Sequence, residues 1–180
     1  MQNRTPRIPE QPAPNRAELD SRFTVELASV VTGARRRALR DGDRHIDTAH
    51  LLHSLIESDP EVRAAFDGGP QLAKVLGYLV QRSIGYGLRW QGAVENSGAV
   101  SQVREAEADG WSPSAVAGME EARVRAERRG ESRAGGLDLL AALAADRECR
   151  AVEVLDRAGV DVAWLADRTA DRIAEASGRA

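Results

Sequence analysis

The three histidines of this 180-residue chain all fall between positions 45 and 53, as His45, His50 and His53. His50 and His53 are three apart, a helical spacing that can turn two imidazoles toward one metal ion, and Asp47 lies just before them. Such a site needs further ligands from elsewhere, and no second cluster of His or Cys is present. The expectation is therefore no metal and no cofactor, with His50 in a structural role. Cys149 is the sole cysteine, which excludes an internal disulfide framework and a Cys-rich zinc site. It sits in Asp146-Arg147-Glu148-Cys149-Arg150, where an arginine could lower its pKa. No partner His or oxyanion signature accompanies it, so a nucleophile is not expected. No Ser-His-Asp pattern and no paired-carboxylate motif stands out. No Gly-x-x-x-x-Gly-Lys-Ser/Thr phosphate loop occurs, and the only lysine, Lys74, lies in Leu72-Ala73-Lys74-Val75. No catalytic residue is expected, and the chain reads as a protein that is not an enzyme.

The remaining charge is arginine. Of 25 basic residues all but Lys74 are Arg, which with the many alanines points to a GC-rich genome. Arg35-Arg36-Arg37, Arg40 and Arg44 form one run; Arg123, Arg125, Arg128, Arg129 and Arg133 form another. Both are interleaved with acids such as Asp41, Asp43, Glu120, Glu121 and Glu127, as on solvated helix faces with i,i+4 pairs. With a net charge of −3 and a pI near 5.7, no nucleic-acid partner is expected. No run approaches the roughly 18 apolar residues of a membrane span, and no apolar signal segment opens the chain. The expected location is cytoplasmic, without a membrane partner. Four of the seven prolines lie in the first 14 residues, so 1–21 reads as a disordered tail.

The elements that must carry these residues are helices, and they repeat. Aromatics make up 4% of the chain, and the apolar remainder is mostly Ala, Leu and Val. Leu27, Val31, Ala34 and Ala38 share one helical face, and Ala115, Met119, Ala122 and Ala126 repeat that face 88 positions later. Gly42 and Gly130 follow at the same offset, then Leu51, Leu52, Leu55 and Ile56 against Leu139, Leu140, Leu143 and Ala144. After about two inserted residues, Leu72, Val75 and Leu76 match Val162, Leu165 and Ala166 at an offset of 90. Thr24 and Ser112 are N-caps, Asp47 or Thr48 caps the second helix, and Pro113 suits a first helical position. Trp111 and Val116 can form a hydrophobic staple across the Ser112 cap. Helices are expected near 24–41, 48–57, 60–67 and 70–84, and again near 112–129, 137–145, 148–158 and 161–176. The domain reading is repeat 1 over 22–84, a linker or flap over 85–110, and repeat 2 over 111–177. The linker opens Gly85-Tyr86-Gly87-Leu88-Arg89-Trp90; it is either a surface connection with Tyr86 and Trp90 docked on the core or a mobile flap over a groove.

Phe23-Thr24, a long Ala-rich helix, a glycine and then Ile46-Asp47-Thr48-Ala49-His50-Leu51-Leu52 resemble the Clp N-terminal (Clp R) domain, whose signature there is Ile-Gly-Thr-Glu-His-Leu-Leu. Trp111-Ser112-Pro113 is similar to the family's Phe-Thr-Pro at the second repeat. The resemblance covers about 22–176 and implies an all-α fold of two tandem four-helix repeats, eight helices in all, with pseudo-twofold symmetry. It implies a docking module for peptides or protein clients, including a Clp unfoldase or cyclic-peptide ligands. Because no nucleotide-hydrolysing motif is present, the expectation is a stand-alone, non-catalytic accessory factor, as a monomer or weak dimer. The alternative is a regulatory or dimerising scaffold unrelated to Clp proteolysis. The residues expected to contact ligand are Phe23, Thr24, Trp111, Ser112 and Val116, with Tyr86 and Trp90 from the linker. Some relatives bind phosphoarginine through the cap threonine and the glutamate of Thr-Glu-His. Here Ala49 and Leu137 stand at the two glutamate positions, so that ligand is expected to bind weakly or not at all.

Overall fold

The structure, a computed structural model, describes residues 21–82, 93–96 and 110–179. Eight α-helices run through these residues: α1 Val25–Asp41, α2 Thr48–Ser58, α3 Pro60–Arg63, α4 Gly68–Gln81, α5 Pro113–Arg128, α6 Gly136–Ala145, α7 Arg150–Arg157 and α8 Val162–Ser177. Among the described residues there is no β-strand, only two isolated bridges. The fold is the expected one, two four-helix repeats. Residues 1–20, most of the linker and the last two residues expected for the fourth helix, 83–84, lie outside the described residues.

Local chemistry places the helix starts. Thr24 Oγ1 accepts from the Leu27 N–H at 3.2 Å and Ser112 Oγ from the Ala115 N–H at 3.1 Å, each satisfying an orphan donor of the first turn. Asp47, not Thr48, caps α2: its Oδ1 accepts from the His50 N–H at 2.9 Å, and His50 Nδ1 accepts from the Asp47 N–H at 3.1 Å. The third helix stops at Arg63 rather than 67. The Ala65 and Phe66 N–H groups bond three residues back, to Val62 and Arg63, which tightens the chain into a turn.

The apolar faces expected for the first two helices of each repeat are buried, from Leu27, Val31, Ala34 and Ala38 to Leu139, Leu140, Leu143 and Ala144, while Leu72, Leu76 and Ala166 of the last helices are half-buried against the same core. α2 and α6 form the centre, against each other and against the long helices of both repeats. Close approach of α1 to α2 depends on Gly33, where a Cβ would stand 2.3 Å from Ser54 Oγ. That hydroxyl donates to the Val30 carbonyl at 2.7 Å.

The repeats are joined by an exchange of backbone bonds. Phe23 bridges to Ala134, and Trp111 bridges to Ile46. The Thr24 N–H donates to the Ala134 carbonyl at 2.9 Å and the Ser112 N–H to the Ile46 carbonyl at 2.8 Å. Both pairs correspond at the 88-residue offset, so the pseudo-twofold axis passes between them. Each first-helix start is thereby pinned beside the loop that precedes the second helix of the other repeat.

Candidate functional site at the repeat junctions

This exchange creates two related clefts. At the first junction, Ser112 from repeat 2 meets the start of α2 and the start of α7. Into this nook projects Glu95, from the linker. The Thr48 N–H donates to Glu95 Oε1 at 2.9 Å, and Ser112 Oγ donates to the same oxygen at 2.9 Å. Thr48 Oγ1 donates to Oε2, and the Arg150 N–H reaches Oε2 at 2.6 Å. Arg150 also ties the strap down through Nη2, which donates to the Ala93 carbonyl at 2.8 Å. Glu95 is 5% exposed, so this is a carboxylate removed from water and held by two helix N-termini and two hydroxyls.

Burial, the largest influence, pushes the Glu95 pKa up, and the nearby Asp47 charge adds to it; the bonds from Thr48 and Arg150 pull the other way. Asp47 is the opposite case. Burial alone would raise it, but the bond and charge of His50 and the charge of Arg82 hold its carboxyl well below the usual range. Asp47 Oδ2 also pairs with Arg150 Nη1 at 2.9 Å, so one carboxylate links α4, α7 and the α2 cap. Beside Glu95 lies a cavity of about 360 Å³, lined by Asp43, His45, Asp47, Ser112 and Arg150 among others.

The second junction has the same backbone and different chemistry. Thr24 stands where Ser112 stands in the first, and Gly136 where Thr48 stands. A Cβ on Gly136 would lie 2.1 Å from Asp59 Oδ2, because the Asp59 side chain, the cap of α3, fills that space. Asp138 Oδ2 accepts from the Gly135 N–H at 2.9 Å, and its Oδ1 pairs with Arg129 at 2.7 Å. A more open cavity of about 420 Å³ follows, with Leu137, Ile173 and Ala176 on its apolar side and Glu26, Asp59, Glu61 and Glu131 around it, along with Arg129 and Arg133.

Of the residues singled out from the sequence, Thr24 and Ser112 lie at the two junctions. Phe23 and Trp111 are close by but only 8% and 7% exposed, packed into the core, so neither presents an open apolar face. Val116 is half-buried and packs on the same core. Tyr86 and Trp90 lie outside the described residues. Glu95, Arg150 and Ile173 were not singled out, and Thr48 only as a possible cap; their meeting depends on how the linker and the other repeat fold back. His53 does not join His50 at a site: its Nε2 lies 3.4 Å from Glu57, while His50 faces Asp41 and Asp43. Cys149 is buried, its thiol pushed up to about 11 chiefly by burial, with Sγ 3.5 Å from the Leu143 carbonyl. That is an unreactive thiol. The arginine runs make ion pairs on helix faces, Arg123 with Glu120 and Glu127 and Arg125 with Glu121. No helix of the described residues is long and apolar enough to cross a membrane.

No family model matches the sequence, and no curated protein does. Solved structures do match. The N-terminal domain of the caseinolytic-protease-associated chaperone ClpD from Arabidopsis thaliana superposes with a TM-score of 0.60 at 20% identity, covering 84% of this chain and 94% of that one. The Hsp104 N-terminal domain from Candida albicans gives 0.59 at 14% identity, covering 82% and 89%. With eight helices in the same two-repeat arrangement, the chain has the fold of a Clp N-terminal domain.

Proposed function

We propose that this chain is a non-catalytic peptide- or protein-binding module that serves a Clp chaperone–protease system as an accessory factor: an adaptor, a regulator or a protein that sequesters peptides. The observation that carries the reading is the inequality of the two junctions. The first holds the Glu95 strap with a polar cavity beside it, while the second keeps a more open cavity of about 420 Å³ with an apolar side and a rim in which acids outnumber arginines. Such a surface suits an extended peptide that offers an apolar side chain next to a basic one. The name of one structural neighbour, a chaperone associated with caseinolytic protease, agrees with this setting. At the first junction the Glu95 carboxylate stands against Ser112 Oγ, so a phosphorylated arginine would meet like charge there as well as lacking the glutamate at Ala49.

The test is a fluorescence-anisotropy screen of labelled peptides, with a pulldown of the Clp unfoldase of the same cell. Trp111→Ala is a poor probe, because truncating a core aromatic costs about 3–5 kcal/mol of stability. Ile173→Arg places charge in the open cavity on a half-buried position. It should weaken capture of an apolar-basic peptide about tenfold or more, with the circular dichroism melt preserved. Equal binding by that variant sinks the site. Absence of peptide and unfoldase binding, together with a concentration-dependent dimer in light scattering, supports the scaffold reading instead.

A further inference from the structure

His50 is almost sealed, its side chain 1% exposed, and its Nε2 makes no hydrogen bond. That atom is aimed between two carboxylates, 3.1 Å from Asp43 Oδ2 and 3.6 Å from Asp41 Oδ2. One ligand atom from each of the three residues lies within 4.8 Å of the others. Ligands about 2.0–2.1 Å from a tetrahedral zinc ion stand about 3.3 Å apart, so the two His–Asp separations already approximate two edges of a coordination tetrahedron.

The local fold explains the convergence. Asp41 closes α1, and Gly42 then adopts φ 73°, a left-handed conformation that turns the chain and brings Asp43 back toward α2. His50 occupies the third position of α2, its ring fixed by Asp47. Nδ1 accepts from the Asp47 N–H in this structure; when Nε2 ligates a metal the ring proton moves to Nδ1, where Asp47 Oδ1, 3.0 Å away, accepts it in place of that bond. The cavity at the first junction, lined by Gly42, Asp43 and Asp47, gives access from solvent, and the Asp43 side chain is 40% exposed.

Repeat 2 provides the contrast. The positions of Asp41, Asp43 and His50 are held there by Arg129, Glu131 and Asp138, and Arg129 pairs directly with Asp138 at 2.7 Å. Repeat 2 supplies its own cation. Repeat 1 instead directs two acids at the His50 ring, with Arg82 beside Asp43. Arg82 Nη2 comes within 3.3 Å of Asp43, but its closer partner is Asp47, so Arg82 can keep that pairing while Asp43 turns toward a metal.

The geometry points to Asp41, Asp43 and His50 as a three-ligand site for a divalent transition-metal ion of the zinc type, with a fourth position facing the junction cavity. One imidazole with two carboxylates suits Zn²⁺ or Co²⁺ better than Mg²⁺ or Ca²⁺, which prefer all-oxygen shells. The site is independent of the peptide-binding reading.

The test titrates zinc chloride into the chelator-stripped full chain by isothermal calorimetry, with cobalt(II) absorption reporting direct ligation. The expected result is one equivalent of saturable binding and the visible bands of four-coordinate cobalt. Asp43→Asn and Asp41→Asn should each weaken binding about tenfold or more while the helical spectrum is kept. His50→Gln also removes part of the α2 cap, so the two aspartate variants carry the test. His53→Gln, whose ring faces Glu57 instead, should leave binding unchanged. No saturable binding, equal affinity in Asp43→Asn, loss in His53→Gln, or equal competition by magnesium overturns the site. Any of these would leave the cluster as an ion pair between His50 and its carboxylates.

Discussion

Replacing Thr48 by Val tests the first junction at its centre, because the two side chains match in shape and differ by one hydroxyl. Thr48 is fully buried, and its Oγ1 does two jobs. It donates to Glu95 Oε2, and it accepts from the Ala151 N–H at 3.0 Å, an orphan donor in the first turn of α7. Losing a bond to a charged partner costs about 1.5–3 kcal/mol, and stranding a buried N–H costs about 1–3 kcal/mol. Burying a methyl where the hydroxyl was offsets part of this, so the expected loss is about 3 kcal/mol. Urea unfolding near neutral pH reads it directly. Thr48→Ser, which keeps the hydroxyl, should cost about 1 kcal/mol. In a Glu95→Gln background the Thr48→Val cost should shrink by about 1 kcal/mol or more, since the charge-assisted part is already gone. A loss under about 1 kcal/mol for Thr48→Val would refute the account. So would an identical cost in the two backgrounds, because Glu95 would then not be the partner of Thr48.

His53 should make the fold acid-sensitive. Burial, with the charge of Arg37 and more weakly that of His50, lowers its pKa to about 4 despite the opposing charges of Glu57 and Asp41. The unfolded chain takes a proton below about pH 6.5 that the folded chain refuses until about 4, so stability present at pH 7 falls through that window and levels off below it, by about 3 kcal/mol. Urea unfolding at about pH 7 and 4.5 should show this loss, and His53→Gln should remove that share of it. Gly136→Ala should destabilise by about 1–3 kcal/mol, since its Cβ would stand 2.1 Å from Asp59 Oδ2, and Asp59→Ala should relieve the clash at the expense of the α3 cap. Cys149 should stay unlabelled by iodoacetamide in the native state near pH 8 and react only when urea unfolds the chain; fast native labelling would contradict its burial.

What the sequence made legible was set by volume and backbone bonding. The buried faces of α1, α2, α5 and α6 follow from residues three and four apart, and the caps Thr24, Asp47 and Ser112 from their types and positions. Helix ends fared worse where local bonding decides them, as at α3, which turns after Arg63. The junctions were legible only by halves. Thr24 and Ser112 announce themselves as caps, but the partner of Ser112 is Glu95, in a linker whose path no periodicity dictates. The carboxylate absent at Ala49 was therefore sought in the signature, while a carboxylate reaches the same junction from the linker. The surroundings of His50 were hidden for a similar reason. Spacing along α2 shows only that His53 is near in sequence, whereas the turn at Gly42 presents Asp41 and Asp43 to His50 from the end of the preceding helix.

The two repeats match where they fill shared volume and differ where they meet a cavity. Leu51 and Leu139, Leu52 and Leu140, and Val75 and Leu165 are apolar pairs, each fully buried. At the junctions the equivalents are Thr48 and Gly136, Asp47 and Gly135, His50 and Asp138, and Asp41 and Arg129. The same exchanged backbone bonds hold both junctions, so the differences are not needed to join the repeats. They alter charge and space instead. One junction gains a hydroxyl, a buried carboxylate from the linker and an arginine at α7; the other gains a glycine, an internal Arg129–Asp138 pair and an open apolar side. A ligand that engages this surface through both junctions would therefore have to be asymmetric. An extended peptide has that property, and a symmetric contact centred on the pseudo-twofold axis does not.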